Sequence, residues 1–127
     1  MADERFKQLI TELHQATVDG RVRWEETAKE GAFRVGLGDG LVRIQTGSDD
    51  ENNYHVRVLL LNSQGRVVDE FFVWDNDEQY SQLLELYQKA RSSALHIDEV
   101  VDSMLSDLKA GRVRELPPET QAEDIPF

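Results

Sequence analysis

Apolar positions along the chain change period several times, and each change marks an element. Between Asp3 and Val18, Phe6, Leu9, Ile10 and Leu13 recur at the three-and-four spacing of a helix with one buried stripe. Asp3 and Glu4 suit its positive end, and Asp19-Gly20 stops it. Arg21 to Trp24 is a short extended piece whose Trp24 is expected to close one end of the core. Glu25 to Gly31 has no period and reads as irregular or weakly helical. Strict alternation then begins, with Phe33, Val35 and Leu37 on one side and Arg34 and Gly36 on the other. Asp39-Gly40 signals a two-residue hairpin turn. Folding there sets Val35 beside Ile44, Leu37 beside Val42 and Phe33 beside Thr46, and leaves Arg34, Arg43 and Gln45 on the second face. Gly47 to Asn53 is a polar loop.

The richest apolar stretch, Tyr54 to Trp74, reads as a second hairpin around Asn62-Ser63-Gln64-Gly65. Asn62 opens a type I turn, and Gly65 takes the left-handed conformation that closes it. The resulting register pairs Leu60 with Val68, Val56 with Phe72 and Tyr54 with Trp74 on the core face. Leu61 with Val67, Leu59 with Asp69, Arg57 with Phe71 and His55 with Val73 fall on the other. A second helix is expected from Asp75, with Asp75 and Glu78 at capping-box spacing and a stripe of Tyr80, Leu83, Leu84 and Tyr87. After Ser92-Ser93, Ile97, Val100, Val101, Met104, Leu105 and Leu108 line one side of a third helix that Gly111 ends. The remainder, with Pro117-Pro118, lacks any period.

The fold expected is α+β: an N-terminal helix, a four-stranded antiparallel meander sheet, two C-terminal helices and an extended C-terminal tail. Residues 1–111 form one domain and 112–127 an extended acidic tail. Three amphipathic helices exceed what one sheet face easily holds. Either they divide between the faces, or the spare apolar positions Leu59, Leu61, Phe71 and Val73 meet a second copy, so a homo-oligomer is expected.

Composition narrows the chemistry. The formal net charge of −11 repels phosphate backbones at long range and favours basic partners. The absence of cysteine removes disulfides, thiolate metal sites and cysteine nucleophiles, and suits a cytoplasmic location. No apolar run is long enough to span a bilayer, so no membrane partner is expected. The glycines of Gly36 to Gly40 lack the strand-before, helix-after setting of a phosphate loop and read as a hairpin turn. The carboxylates at Asp49-Asp50-Glu51, Asp75/Asp77/Glu78 and Asp98/Glu99/Asp102 read as solvated or capping groups. His14, His55 and His96 lie in distant segments without metal-ligand spacing. No catalytic residue, cofactor site or metal site is assigned, and the chain is read as a non-enzyme.

Two features point outward. Arg34, Arg43, His55, Arg57, Leu59 and Phe71 gather on the outer sheet face, as a nucleic-acid or dimer surface. A four-strand meander followed by a helix loosely resembles Whirly and Pur-type domains. That topology implies single-stranded nucleic acid as the alternative ligand, while the acidic balance makes direct binding an outside reading. The second feature is Ala122-Glu123-Asp124-Ile125-Pro126-Phe127. Its Asp-Ile-Pro-Phe resembles the C-terminal tip of bacterial single-stranded-DNA-binding proteins, which docks on replication, recombination and repair proteins. The resemblance implies a partner with a basic-rimmed apolar pocket, taking the Phe127 ring and carboxylate while Glu123 and Asp124 meet the rim and Ile125 and Pro126 stiffen the approach. The resulting expectation is a non-catalytic, adaptor-like interaction protein of bacterial type. A third alternative is an acidic secretion-type chaperone, which fits the size and charge.

Overall fold

The computed structural model describes residues 4–112 and 114–116. It is α+β, with helix α1 (Glu4–Val18), strands β1 (Glu25–Glu26), β2 (Ala32–Leu37), β3 (Gly40–Ser48), β4 (Tyr54–Leu61) and β5 (Val67–Trp74), then helices α2 (Tyr80–Leu95) and α3 (Ile97–Ala110). The strands form one antiparallel sheet in the order β1-β2-β3-β4-β5. The meander therefore has five strands where four are expected. The added one is Glu25-Glu26, inside a stretch without period. Two residues cannot display alternation, so only pairing to Arg34 and Phe33 reveals the strand.

The chain divides into two compact units, one through Ile97 and one from Asp98 onward. In the first, α1 and α2 both pack on the same face of the sheet. Ile10 and Leu13 of α1 and Leu83, Leu86 and Ala90 of α2 bury against Phe33, Val35, Val42, Ile44, Val56, Val58 and Val73. Trp24 closes this core as expected. Its indole N–H donates to Thr17 Oγ1 at 3.0 Å, and the Thr17 hydroxyl donates to the Leu13 carbonyl at 2.7 Å. Its backbone N–H donates to Ser93 Oγ at 3.0 Å, so one residue ties α1 to α2.

Both hairpins depart from the expected register. In the first, Leu37 pairs with Gly40, which makes Gly38-Asp39 the turn. Val35 therefore meets Val42 and Phe33 meets Ile44, a shift of two residues that leaves every side chain on its expected face. Gly40 also lets β4 come close, since a Cβ there would clash with the Leu61 carbonyl oxygen. The second hairpin differs more. Its turn forms as the residues dictate, with Asn62 Oδ1 accepting from the N–H groups of Gln64 and Arg66 and Gly65 at φ 81°. Leu61 pairs with Val67, but a bulge follows and Leu60 pairs with Asp69. The extra residue reverses the parity of the rest of β5. Val56 then faces Val73 and Val58 faces Phe71, while Phe72 and Trp74 turn to the other side. Val73 and Phe71 are core residues rather than spare ones, and Tyr54 is exposed rather than paired inside.

Helix boundaries shift for equally local reasons. Asp75 does not cap α2, whose N-cap is Gln79 with no side-chain bond. Asp75 Oδ2 instead accepts from the Tyr54 N–H at 3.1 Å, and Asp77 Oδ2 from the Trp74 N–H at 2.7 Å, so both carboxylates fasten strand ends. Ser92-Ser93 lies within α2, which ends at His96 in the left-handed region, φ 55°. In the second unit, α3 runs to the Gly111 stop as expected and buries none of its residues. Val100, Val101, Met104, Leu105 and Leu108 stay between 45% and 69% exposed.

Candidate functional site

The side of the sheet opposite α1 and α2 is built by the alternate residues of four strands. Arg34 faces Arg43 across β2 and β3, Arg43 faces Leu59, and Gln45 faces Arg57 across β3 and β4. Arg57 in turn faces Phe72, and His55 faces Trp74. Three guanidiniums thus cross the middle of the face. Leu41, Leu59 and Leu61 lie toward one end and three rings toward the other.

The rings form a packed cluster. The His55 imidazole stacks on Phe72 with centroids 4.5 Å apart and meets Trp74 edge-on at 5.4 Å, while Phe72 and Trp74 are 5.1 Å apart. Such pairs contribute about 0.5–1.5 kcal/mol each beyond area burial. The Arg57 guanidinium lies over Phe72 at 5.4 Å, within cation–π range. Gly47 makes room for the cluster, because a Cβ there would lie 2.6 Å from His55 Cε1. Burial foremost, and then the charges of Arg57 and Lys29, push the His55 pKa below its ordinary value, with Asp49 pulling weakly the other way. The imidazole therefore serves as a neutral ring at neutral pH.

The arginines differ in what they hold. Arg34 Nε is 3.4 Å from Glu25 Oε1, and Arg57 Nε is 2.7 Å from Glu70 Oε2. The second contact is a charge pairing rather than an aligned hydrogen bond, since the Nε–H has no acceptor in its direction. Arg43 lies between them, its Nε buried and without a hydrogen-bond partner among the described residues. A guanidinium donates N–H groups that a carboxylate accepts.

Five of the residues expected here, Arg34, Arg43, His55, Arg57 and Leu59, share this face. Phe71 does not, because the bulge sends it to the helix side, where its ring packs on Phe6 at 4.7 Å. Phe72 and Trp74 take its place. Only the Glu70 carboxylate, suitably signed for Arg57, hints at that parity in the sequence. The expected partner-binding segment Glu123, Asp124, Ile125, Pro126 and Phe127 lies outside the described residues.

Other chemistry is committed to structure. The Asp49 carboxylate accepts from Asn53 Nδ2 and from the backbone N–H groups of Asn53 and Glu51, and these bonds, that of the Asn53 side chain foremost, hold its pKa low. A cleft of about 470 Å³ is lined by Thr46, Tyr54, His55, Tyr80, Tyr87 and Arg91. Burial first, then Asp75 and Tyr54, raise the Tyr80 pKa, so its hydroxyl remains a neutral donor. Among the described residues no three His, Asp or Glu side chains are grouped to hold a metal ion, and no helix is long and apolar enough to cross a membrane.

No protein-family description matches this chain, and no curated protein or solved structure does so either.

Proposed function

We propose that the chain is a non-catalytic, adaptor-like interaction protein whose outer sheet face docks an extended protein segment carrying carboxylates and an aromatic side chain. The observation that carries this reading is the row Arg34, Arg43 and Arg57 running into the Phe72–His55–Trp74 cluster. Two of these guanidiniums already hold Glu25 and Glu70, so the spacing suits carboxylates. Arginine and tryptophan are also the side chains that most often dominate protein–protein binding energy. In this reading Arg43 takes an incoming carboxylate while Trp74 and Phe72 receive the ring.

A second reading, single-stranded nucleic acid stacked on the same rings, is favoured by the planar His55–Phe72 stack. The net charge of −11 and the carboxylates of Asp49 and Asp75, which line a hollow together with Trp74, repel phosphates and carboxylates alike. A strand with a phosphate at every nucleotide meets more of this repulsion than a segment with few carboxylates. The Glu123–Phe127 segment is proposed as a separate handle for DNA-maintenance proteins, supported by its resemblance to the single-stranded-DNA-binding tip.

Fluorescence anisotropy separates these ideas in one assay. A labelled peptide alternating Glu and Phe should bind, and Arg43→Ala with Trp74→Ala should weaken it by about tenfold or more. Equal binding to parent and double variant would remove the sheet face as a docking surface. A labelled oligothymidine that binds more tightly than the peptide at low salt would transfer the face to nucleic acid. Loss of capture by tip-binding repair proteins on deleting Ile125 to Phe127 would support the handle, and retention would reject it.

A further inference from the structure

We infer that the cleft of about 470 Å³ between α2 and the β3–β4 hairpin binds a small molecule that carries a planar aromatic ring and one carboxylate. This site goes beyond the interaction reading above and does not use its row of arginines.

One wall of the cleft is a face of α2. Tyr80, Leu84, Tyr87, Gln88 and Arg91 recur at intervals of three and four, so they lie on one side of the helix. Leu83, Leu86 and Ala90 are the α2 residues that turn fully into the core, while Tyr80, Leu84 and Tyr87 are only partly buried. The other wall arises from unequal strand lengths. The β2–β3 ladder stops at Ala32 and Gln45, whereas β3 runs on to Ser48 beside β4. Thr46, Gly47 and Ser48 therefore have a strand neighbour on one side only, and with Tyr54 and His55 they complete the lining. The volume falls within the range of about 300–1,000 Å³ that small ligands occupy.

The lining also selects a sign of charge. The chain holds 25 acidic against 14 basic side chains, yet no carboxylate lines this cleft and Arg91 does. Three and four places from Arg91 along α2 stand Tyr87, Gln88, Ala94 and Leu95, so the helix gives it no acidic partner. It makes no ion pair among the described residues. Asp49 and Asp75 lie outside the lining, and their carboxylates already accept backbone N–H bonds. Arg91 thus offers N–H groups for a carboxylate, and the tyrosine rings offer faces and edges to a planar ring. The Tyr87 hydroxyl is spent on the Gly31 carbonyl at 3.0 Å, which leaves Tyr54, Tyr80 and Gln88 to donate to a ligand. A phosphate monoester would bring about two negative charges to one guanidinium on a chain of −11, so the carboxylate is the better match.

The test titrates the full chain with phenylpropionate and follows the backbone amide signals by NMR. Phenylpropylamine keeps the ring and reverses the charge, propionate keeps the charge without the ring, and phenyl phosphate carries the larger charge. Phenylpropionate should shift the amides of Thr46 to Ser48, Tyr54 and Tyr80 to Arg91 in a saturable way, and bind about tenfold more tightly than the amine or propionate. Arg91→Gln should weaken it by about tenfold, and Leu84→Trp should abolish it by filling the hollow. The same spectra check that both variants fold. No saturable shift at millimolar phenylpropionate would overturn the proposal, as would equal affinity for the amine or undiminished binding to Arg91→Gln. Tighter binding of phenyl phosphate would overturn the choice of a carboxylate. Arg43→Ala should keep its affinity for phenylpropionate, and Arg91→Gln should keep its affinity for the Glu/Phe peptide. Failure of the sheet-face reading and failure of this one therefore give different results.

Discussion

Helices α2 and α3 follow one another with a single residue, His96, between them. They are 16 and 14 residues long, and each carries apolar side chains at helical spacing. Yet α2 buries Leu83, Leu86, Ala90 and Ala94, whereas α3 buries nothing. The amphipathic pattern therefore states that a face needs cover, and only the supply of a complementary surface decides whether it is covered within the chain. In the first unit one sheet face accepts both α1 and α2. Two outcomes were expected, division of the helices between the sheet faces or a second copy against the spare apolar positions, and in the first unit α1 and α2 lie on the same side.

The largest effect that tests this contrast lies in α2. Leu86 is 0% exposed in the centre of the core. Leu86→Ala removes its transfer free energy and leaves a cavity, so it should cost about 2–5 kcal/mol. Urea unfolding measures it. A loss under about 1 kcal/mol would mean that α2 is held as loosely as α3, and the contrast would disappear.

Legibility in the sequence follows the same line between local and tertiary causes. The Asn62–Gly65 turn and the Gly111 stop come from chemistry acting within a few residues and were readable. The α2 stripe was read without Leu86, which is 0% exposed, while Tyr80, Leu84 and Tyr87 are only partly buried. The expected place of Trp24 rests on Thr17 and on the distant Ser93. The faces of β2, β3 and β4 were readable because alternation there is clean. In β5, VVDEFFVW is ambiguous, since two apolar residues stand side by side at its start and four at its end. A period of two reports parity but not its origin, and one bulged residue exchanged Phe71 and Val73 for Phe72 and Trp74. Most of the outer-face cluster was therefore visible in advance, while its aromatic half was displaced by one position. The short strand β1 and the use of Asp75 at a strand end depend on partners 7 to 21 residues away along the chain, beyond the reach of spacing arguments.

The outer sheet face stands between the two helices in burial, and His55 gives it a pH signature. Its folded pKa is depressed by burial first and then by Arg57 and Lys29, so the unfolded chain binds a proton that the folded chain resists. The contribution of this group is complete above its ordinary pKa of about 6.5 and is lost as the pH falls through that value toward the lower folded pKa. Melting temperatures at about pH 7.5 and about pH 5.5 should therefore differ by more for the parent than for His55→Phe, which keeps a ring beside Phe72 and Trp74 without a titrating group. Equal acid sensitivity in the two proteins would show that the imidazole is as freely hydrated as the α3 surface.

The smallest effect is expected in α3, and it is the sharpest comparison because the chemistry matches that of the Leu86 substitution. Leu105 is 47% exposed, so Leu105→Ala removes side-chain atoms that water largely surrounds already. No cavity forms, and alanine is at least as good a helix former as leucine, so the propensity term opposes the small loss of burial. The net change should stay within about 0.5 kcal/mol, against about 2–5 kcal/mol for the same exchange in α2. Unfolding curves on dilute protein measure the difference directly. A cost for Leu105→Ala that approached that for Leu86→Ala would mean the stripe is buried in solution by another copy of the chain. In that event the cost would also fall on dilution, because stability drawn from association depends on protein concentration.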